Sequence, residues 1–200
     1  MIEKARQVGV FVERKIVGLA SNPSPSAVKA QLAHLRNGVG KLPGSQPALW
    51  EVTLSELPES LISQGEAPTQ GEWAIHVALT LYSLHQQGRD PLNQNMNHRG
   101  NTLGHSARQL REGNTDKADA VRRRFNIVAM ADSFERLSWH LRGFVQLLKA
   151  SSIPLDYCKL AEELYWYQFA EARDGIRLKW GQDFYRTDVS RDKEAGPQQE

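Results

Sequence analysis

Apolar residues in this chain recur at every third or fourth position, the spacing of a helix that buries one face. The alternation of apolar and polar residues that is typical of β-strands is hard to find. One apolar stripe, in the segment 133–150, consists of Phe134, Leu137, Leu141, Phe144, Val145 and Leu148. The pattern predicts an all-α protein, and we expect a compact, two-lobed bundle of eight or nine helices.

Capping residues and turn sequences mark where the predicted helices begin and end. Thr69 and Glu72 form a capping box, and the helix that follows is apolar on more than one side, so we expect it at the centre of the bundle. The other predicted helices cover 3–20, 24–37, the segment after Thr102, 116–130, 133–150, the segment after Asp156 and the region 176–184, with short helical pieces around 47–54 and 58–63.

The polar, Asn-rich segment 88–101 has no periodicity, and we expect it to be a mobile loop. It sets the predicted boundary between an N-terminal helical lobe, 1–100, and a C-terminal helical lobe, 101–186. Residues 187–200 are polar and end in Gly-Pro-Gln-Gln-Glu, so we expect a disordered tail.

Composition narrows the function mainly by exclusion. The chain has no run of eighteen apolar residues and no apolar segment after Met1, so we expect neither a membrane span nor a secretory signal. The single cysteine, Cys158, excludes an internal disulfide and favours a cytoplasmic location. The histidines fall in no metal-binding frame, no glycine motif for phosphates occurs, and Glu162-Glu163 is expected on a solvated face. We therefore expect no catalytic residues, no metal site and no cofactor.

The net charge of +2 hides an uneven distribution along the chain. Residues 1–41 carry seven Lys/Arg and two Asp/Glu, and residues 99–142 carry nine against five. The segments 42–98 and 143–200 carry net charges of −5 and −2. Folding could gather the basic blocks into one face that attracts a polyanion.

Three consecutive arginines, Arg122 to Arg124, begin the most basic segment, on a helix whose opposite face is apolar. A guanidinium group matches phosphate oxygens with two parallel hydrogen bonds and stays charged at physiological pH. Further basic side chains expected to point outward from other helices and their loops are Arg36, Lys41, Arg108, Arg111 and Arg142. Two interpretations remain open: ordinary solvated faces with ion pairs to Asp116, Asp119 and Glu135, or a polyanion-binding face.

An aromatic block, Tyr165-Trp166-Tyr167-x-Phe169, could stack on nucleic-acid bases or serve in the core or a subunit contact. The sequence leaves open whether the block binds bases or packs within the protein.

An ordered set of short segments resembles the small subunit of the type I-E CRISPR surveillance complex Cascade, the CasB family. These segments are Ala78-Leu-Thr-Leu-Tyr-Ser-Leu-His-Gln-Gln-Gly88, Leu103-Gly104, Arg123-Arg124-Phe125, His140-Leu141-Arg142, Leu155-Asp156-Tyr157 with Leu160-Ala161, and Trp180-Gly-Gln-Asp-Phe-Tyr185. The resemblance covers about residues 26–186.

The resemblance implies an all-helical, non-catalytic protein that forms a head-to-tail pair within the RNA-guided complex and contacts its other subunits. It implies a basic surface that helps to hold the guide RNA (crRNA), the target DNA and the displaced strand during antiviral defence. Positions that match basic places of the family are Arg36, Arg123, Arg124, Arg142, Arg173 and Arg177. The family often doubles the basic residue where this chain has Asn37 and Gly143, so we expect the cluster at Arg122–Arg124 to carry more of the contact.

Three rival functions follow from the same sequence. A helical protein–protein scaffold would use the basic face to dock an acidic partner. A nucleic-acid hydrolase would need clustered acids or histidines, which the sequence does not show. A helix-turn-helix regulator would need a recognition turn, which neither 88–102 nor 112–116 provides.

Overall fold

The computed structural model describes residues 1–186, and over that range the chain is all-helical, as predicted. Its nine helices are α1 (Ile2–Ser21), α2 (Pro25–Asn37), α3 (Trp50–Thr53), α4 (Gln70–Gln86), α5 (Leu103–Glu112), α6 (Ala118–Ala129), α7 (Phe134–Ala150), α8 (Tyr157–Tyr167) and α9 (Arg173–Tyr185). Short 3₁₀ turns occupy Pro47–Leu49, Glu59–Leu61, Thr115–Lys117 and Ala170–Ala172. The predicted tail, 187–200, lies outside the described residues.

Helix α4 is the centre of the fold, as its sequence predicts. It begins with a capping box in which the Thr69 hydroxyl accepts from the Glu72 amide and the Glu72 carboxylate accepts from the Thr69 amide. Helices α1, α2, α7 and α8 pack around it. Its apolar residues are buried on several sides, which explains why the sequence shows no single apolar stripe there.

The remaining helices extend one continuous core from this centre. Helix α8 packs against both α1 and α4, α9 packs against α5, and α6 lies against α5 and α7. Contacts of α8 with α1 and α4 therefore cross the predicted boundary near residue 100, and the division into two lobes stays a prediction. Within residues 1–186, no helix combines the length and the apolarity that a membrane crossing requires.

The segment 88–101, expected to be mobile, is tied to the core by the amide side chains of Gln86, at the end of α4, and of its own Asn97. Gln86 donates to the Gln94 carbonyl at 2.9 Å and accepts from the Met96 amide at 2.8 Å. Asn97 accepts from the Tyr157 amide at 2.8 Å. The polar residues that suggest a solvated loop in the sequence instead satisfy backbone groups across the fold.

Glu163 also departs from its predicted place on a solvated face. Its side chain is buried between α8 and α9, and its carboxylate accepts from the indole Nε1 of Trp180 at 2.7 Å. Burial raises the pKa of Glu163 to about 7, against the opposing effects of the Trp180 hydrogen bond and of Lys159. Consecutive helical positions point about 100° apart, so Glu162 is only half-buried and pairs with Lys159 at 2.8 Å while Glu163 faces inward.

Candidate nucleic-acid interface

An open groove of about 400 Å³ runs between α6 and α7, and two of the predicted arginines line it. Arg124 comes from α6 and Arg142 from α7. Both are exposed because the neighbouring positions, Phe125 and Leu141, are turned into the core. The other residues of the groove are Ile127, Trp139, His140, Gly143, Phe144 and Gln146. The fold thus brings two separate basic segments of the sequence to one surface.

A smaller cleft of about 200 Å³ adjoins this groove, between α4, α7 and the loop that follows α2. Lys41 of that loop lines it, together with Arg142. Arg142 and Trp139 border both the groove and the cleft. We call the surface formed by Lys41, Arg124, Arg142 and Trp139 the groove face.

The loop that carries Lys41 is fixed to α4. The buried His76 donates from Nε2 to the Gly38 carbonyl at 3.0 Å, and burial lowers the pKa of His76, which favours the neutral ring. A Cβ atom at Gly38 would lie 2.5 Å from Leu49 Cδ1 and 3.2 Å from Thr80 Cγ2, so a larger residue there would displace the Leu49 side chain. The same Gly38 carbonyl accepts from the Lys41 amide at 3.0 Å, so the backbone of Lys41 is anchored beside α4.

The cations of the groove face form no ion pair with any carboxylate of the described chain. Among residues 1–186, no Asp or Glu lies within the 4.0 Å of an ion pair to Lys41, Arg124 or Arg142. The same holds for the exposed Arg123, whereas Arg122 pairs with Asp119 at 3.0 Å. Of the three consecutive arginines, Arg124 is the one that lines the groove.

A second group of cations, Arg36, Arg89 and Lys149, lies at the C-terminal end of α7. Arg89 donates to the Lys149 carbonyl at 3.1 Å, and Arg36 and Arg89 line one groove of about 650 Å³. Burial lowers the pKa of Lys149, and the charges of Arg89 and Arg36 lower it further. We call this group the α7-end cluster. Like charges held together in this way favour binding of an anion.

Sequence reasoning missed two members of the α7-end cluster. Lys149 follows Arg142 by seven positions on one helix, and this spacing places both on the same face about 10 Å apart along the axis. That signal was available in the sequence. Arg89 sits in a loop, where no periodicity shows which side it faces.

Arg173 and Arg177 on α9 serve the ends of other helices. Arg177 donates to the carbonyl of Ala129, the last residue of α6, at 2.8 Å and to that of Ala131, just beyond it, at 2.9 Å. Arg173 donates to the Tyr167 carbonyl at 2.9 Å, at the end of α8. Carbonyls at helix C-termini lack partners within their own helix, so these guanidinium groups act as caps. That Arg173 and Arg177 bind nucleic acid stays a prediction, and their hydrogen bonds to these carbonyls do not favour it.

Arg108 requires a correction, because it does not point outward. Only 3% of its surface is exposed, and its guanidinium group contacts the Arg186 carbonyl and His105 Nδ1, the latter at 3.1 Å. A Cβ atom at Gly104 would lie 2.3 Å from the Trp180 carbonyl, so α9 approaches α5 closely, and Arg186, just after α9, contacts Arg108.

Arg111, one turn further along α5, is half-buried. Its guanidinium carbon lies 4.7 Å from the ring centre of Phe184, over the aromatic face. We call Arg108, Arg111, Arg173 and Arg177 together the α9 side.

The aromatic block serves the core. Tyr165 and Tyr167 are buried, and Trp166 and Phe169 pack against the core from its edge. The exposed aromatic residue of the groove face is Trp139, with 71% of its surface exposed. Its position between Leu137 and Leu141, off the apolar stripe of α7, is a sequence signal for an outward ring. Within the described part of the chain, no three His, Cys, Asp or Glu side chains are grouped to hold a metal ion.

Comparisons with known proteins agree with this architecture. The family model described as CRISPR-associated protein Cse2 matches residues 31–185. No curated protein sequence matches the chain. The crystal structure of CasB from Thermobifida fusca superposes with a TM-score of 0.73 at 31% identity and covers 90% of this chain and 98% of that one.

Two further solved structures share the fold at 21% identity each. CasB from M. ruber has a TM-score of 0.67, with 93% of this chain and 98% of that chain covered. A CRISPR-associated protein of the Cse2 family from Thermus thermophilus has a TM-score of 0.62, with 87% and 97% covered. The family match over most of the chain, together with the similarity to the T. fusca protein, shows that this chain belongs to the Cse2 (CasB) family of CRISPR-associated Cascade proteins.

Proposed function

We propose that this chain is the non-catalytic small subunit of a type I-E Cascade complex and that its groove face binds nucleic-acid phosphates. The observation that carries the proposal is the convergence of Lys41, Arg124 and Arg142, from three separate elements, on the groove and the adjoining cleft, with no Asp or Glu of residues 1–186 within ion-pair distance. Exposed guanidinium and ammonium groups arranged in this way lack counter-charges that a phosphate backbone supplies.

The proposed role is to stabilise the heteroduplex of crRNA and target DNA, together with the displaced strand. Replacing a DNA duplex by an RNA–DNA heteroduplex is nearly balanced in free energy, so modest contacts to the backbone can shift it. Phosphate contacts position a strand without reading its sequence. The groove face therefore needs no sequence preference, because base pairing with the guide supplies it.

Within the complex, we propose that the chain forms a head-to-tail pair and contacts other Cascade subunits in the cytoplasm. A second candidate function is a scaffold whose basic face docks an acidic partner. The exposed apolar residues Ile127, which lines the groove with Arg124, and Met130, just after α6, favour this candidate, because exposed apolar side chains are common in protein interfaces.

One triple variant separates the two candidates. Lys41, Arg124 and Arg142 are changed together to Gln, and the complex is purified through another subunit. If the groove face binds nucleic acid, the variant subunit and the crRNA co-purify normally, while the affinity of the complex for target DNA falls. If the groove face is a protein-docking surface, the variant subunit is lost from the complex.

The matched control removes the same charge elsewhere. Lys4, Arg6 and Arg136 are exposed and line neither the groove between α6 and α7 nor the adjoining cleft. Changing these three to Gln is expected to leave target affinity and assembly unchanged. An equal loss of affinity in both triple variants would contradict the proposal, because it would show a response to net charge rather than to the groove face.

A further inference from the structure

The cleft beside Lys41 has aromatic walls that phosphate binding does not explain. Trp73 and Phe134 meet edge to face, with ring centres 6.0 Å apart and planes at 74°, and both line the cleft. Trp139 lines it as well and remains largely in water. A large exposed indole at the border of a cleft, beside a cation, can bind a flat ligand by stacking.

The charges of the cleft are divided in a way that suits a nucleotide. Lys41 and Arg142 provide positive charge, while the lining also includes the Glu135 carboxylate and the Ser138 hydroxyl. A carboxylate disfavours a purely anionic ligand, whereas it accepts hydrogen bonds from the amino groups of a base. A nucleotide presents a flat neutral ring next to a charged phosphate, and its two parts match these two environments.

We propose that this cleft receives one unpaired base of the bound strand, stacked on the indole of Trp139, with its neighbouring phosphates at Lys41 and Arg142. The inference rests on the proposed function and adds a base contact to it. The cleft volume of about 200 Å³ lies below that of pockets for drug-sized ligands, and this suits a single ring system.

The contact selects single strands over duplexes. Bases within a duplex are stacked and paired, so only an unpaired base can enter a cleft without breaking those interactions. Every base has a flat π-face, so stacking tolerates any sequence. The cleft therefore favours the displaced strand over the heteroduplex.

The test compares intact and abasic strands on the isolated full chain at low salt. Fluorescence anisotropy measures binding of a labelled single-stranded DNA and of a strand of equal length that keeps every phosphate but lacks the central bases. The wild-type chain is expected to bind the intact strand about tenfold more tightly. In Trp139→Ala the two strands bind alike, with an unchanged salt dependence, and Trp139→Phe restores most of the discrimination.

A second tryptophan provides the matched control. Trp50 is also exposed but lies outside the cleft, and Trp50→Ala is expected to keep the wild-type discrimination. Equal binding of both strands by the wild-type chain would overturn the base contact while leaving the proposed function intact. A loss in Trp139→Ala that is equal for both strands would overturn it too. Failure of the chain to bind either strand, alone and in the complex, would overturn both proposals.

Discussion

The groove face and the α9 side both carry arginines on helices, and the fold uses them in opposite ways. On the groove face, Arg124 and Arg142 lie near the middle of α6 and α7, and no carboxylate or helix-end carbonyl of the described chain engages them. On the α9 side, Arg173 and Arg177 donate to carbonyls at the ends of α6 and α8.

The difference between the two regions has a simple physical origin. Carbonyls in the middle of a helix are already paired, so an arginine that reaches only such carbonyls can bind only solvent, a nearby acid or a ligand. Carbonyls at a helix C-terminus lack partners and attract any guanidinium group within reach. An arginine close to a helix end in space therefore tends to stabilise the fold, whereas an unpaired arginine at mid-helix remains available for binding.

The largest expected effect is on the free energy of unfolding, and it should differ sharply between two neighbouring residues of α7. Leu141 is fully buried, and Leu141→Ala should lower the free energy of unfolding by about 2–5 kcal/mol because it leaves a cavity. Arg142→Ala, one position later, should change it by less than about 0.5 kcal/mol while weakening single-stranded DNA binding. Urea denaturation measures the first quantity and anisotropy the second. Similar destabilisation by both changes would show that Arg142 is part of the core.

Glu163, buried near the α9 side, predicts a pH-dependent effect. Its carboxyl holds a proton more tightly in the folded chain, where its pKa is about 7, than at its ordinary pKa of 4.5. Its contribution to stability is thus complete below pH 4.5 and is lost as the pH rises through about 7. Glu163→Gln cannot ionise and keeps an acceptor for Trp180. Its stability relative to wild type should rise by about 3 kcal/mol between about pH 4.5 and 7.5.

The free energy of unfolding is measured against pH for the wild type and for Glu163→Gln, and the difference between the two curves reports on the Glu163 carboxyl alone. Burial lowers the pKa of His85 to about 4, so His85 also makes stability depend on pH. That contribution is common to both proteins and cancels. A difference that stays constant with pH would show that Glu163 is ionised in the folded chain.

Arg177 should be structural rather than functional. Arg177→Ala removes charged hydrogen bonds to Ala129 and Ala131 and should lower the free energy of unfolding by about 2 kcal/mol. Affinity for single-stranded DNA should be unchanged in the folded variant. Arg124→Ala is the matched comparison and should show the reverse. Loss of DNA affinity in a fully folded Arg177→Ala variant would contradict this prediction, because it would show that the α9 side takes part in DNA binding.

The smallest expected effect concerns the α7-end cluster. Lys149→Gln should reduce affinity for single-stranded DNA by less than about fivefold, because Lys149 already donates to Gln87 at 2.8 Å. Arg136→Gln, on another face of the same helix, should have no effect. A loss as large as that of Arg142→Ala would extend the groove face along the whole of α7.

Helical periodicity and capping chemistry were sufficient to predict most of the fold. The capping box at Thr69 and the stripe from Phe134 to Leu148 gave α4 and α7 close to their observed ends. The anchoring of 88–101 was not predictable, because the partners of Gln86 and Asn97 depend on packing between distant helices. Local sequence shows that such residues are polar, but it does not show what they bind.

The candidate site was predictable only in part. The outward positions of Arg124 and Arg142 follow from the apolar residues beside them, Phe125 and Leu141. Arg108 also follows a buried apolar residue, Ala107, but it is itself buried after folding and contacts Arg186, just after α9. Periodicity therefore indicates which way a side chain leaves its own helix, and the packing of other helices decides whether that direction leads to solvent.

The most direct test of the groove face is the salt dependence of single-stranded DNA binding by three proteins. These are the wild-type chain, the Lys41/Arg124/Arg142→Gln variant and the Lys4/Arg6/Arg136→Gln control. If the groove face releases counterions from phosphates, the slope of log affinity against log salt should become shallower by roughly 2 in the first variant and stay unchanged in the control. Equal slopes in all three proteins would contradict the account.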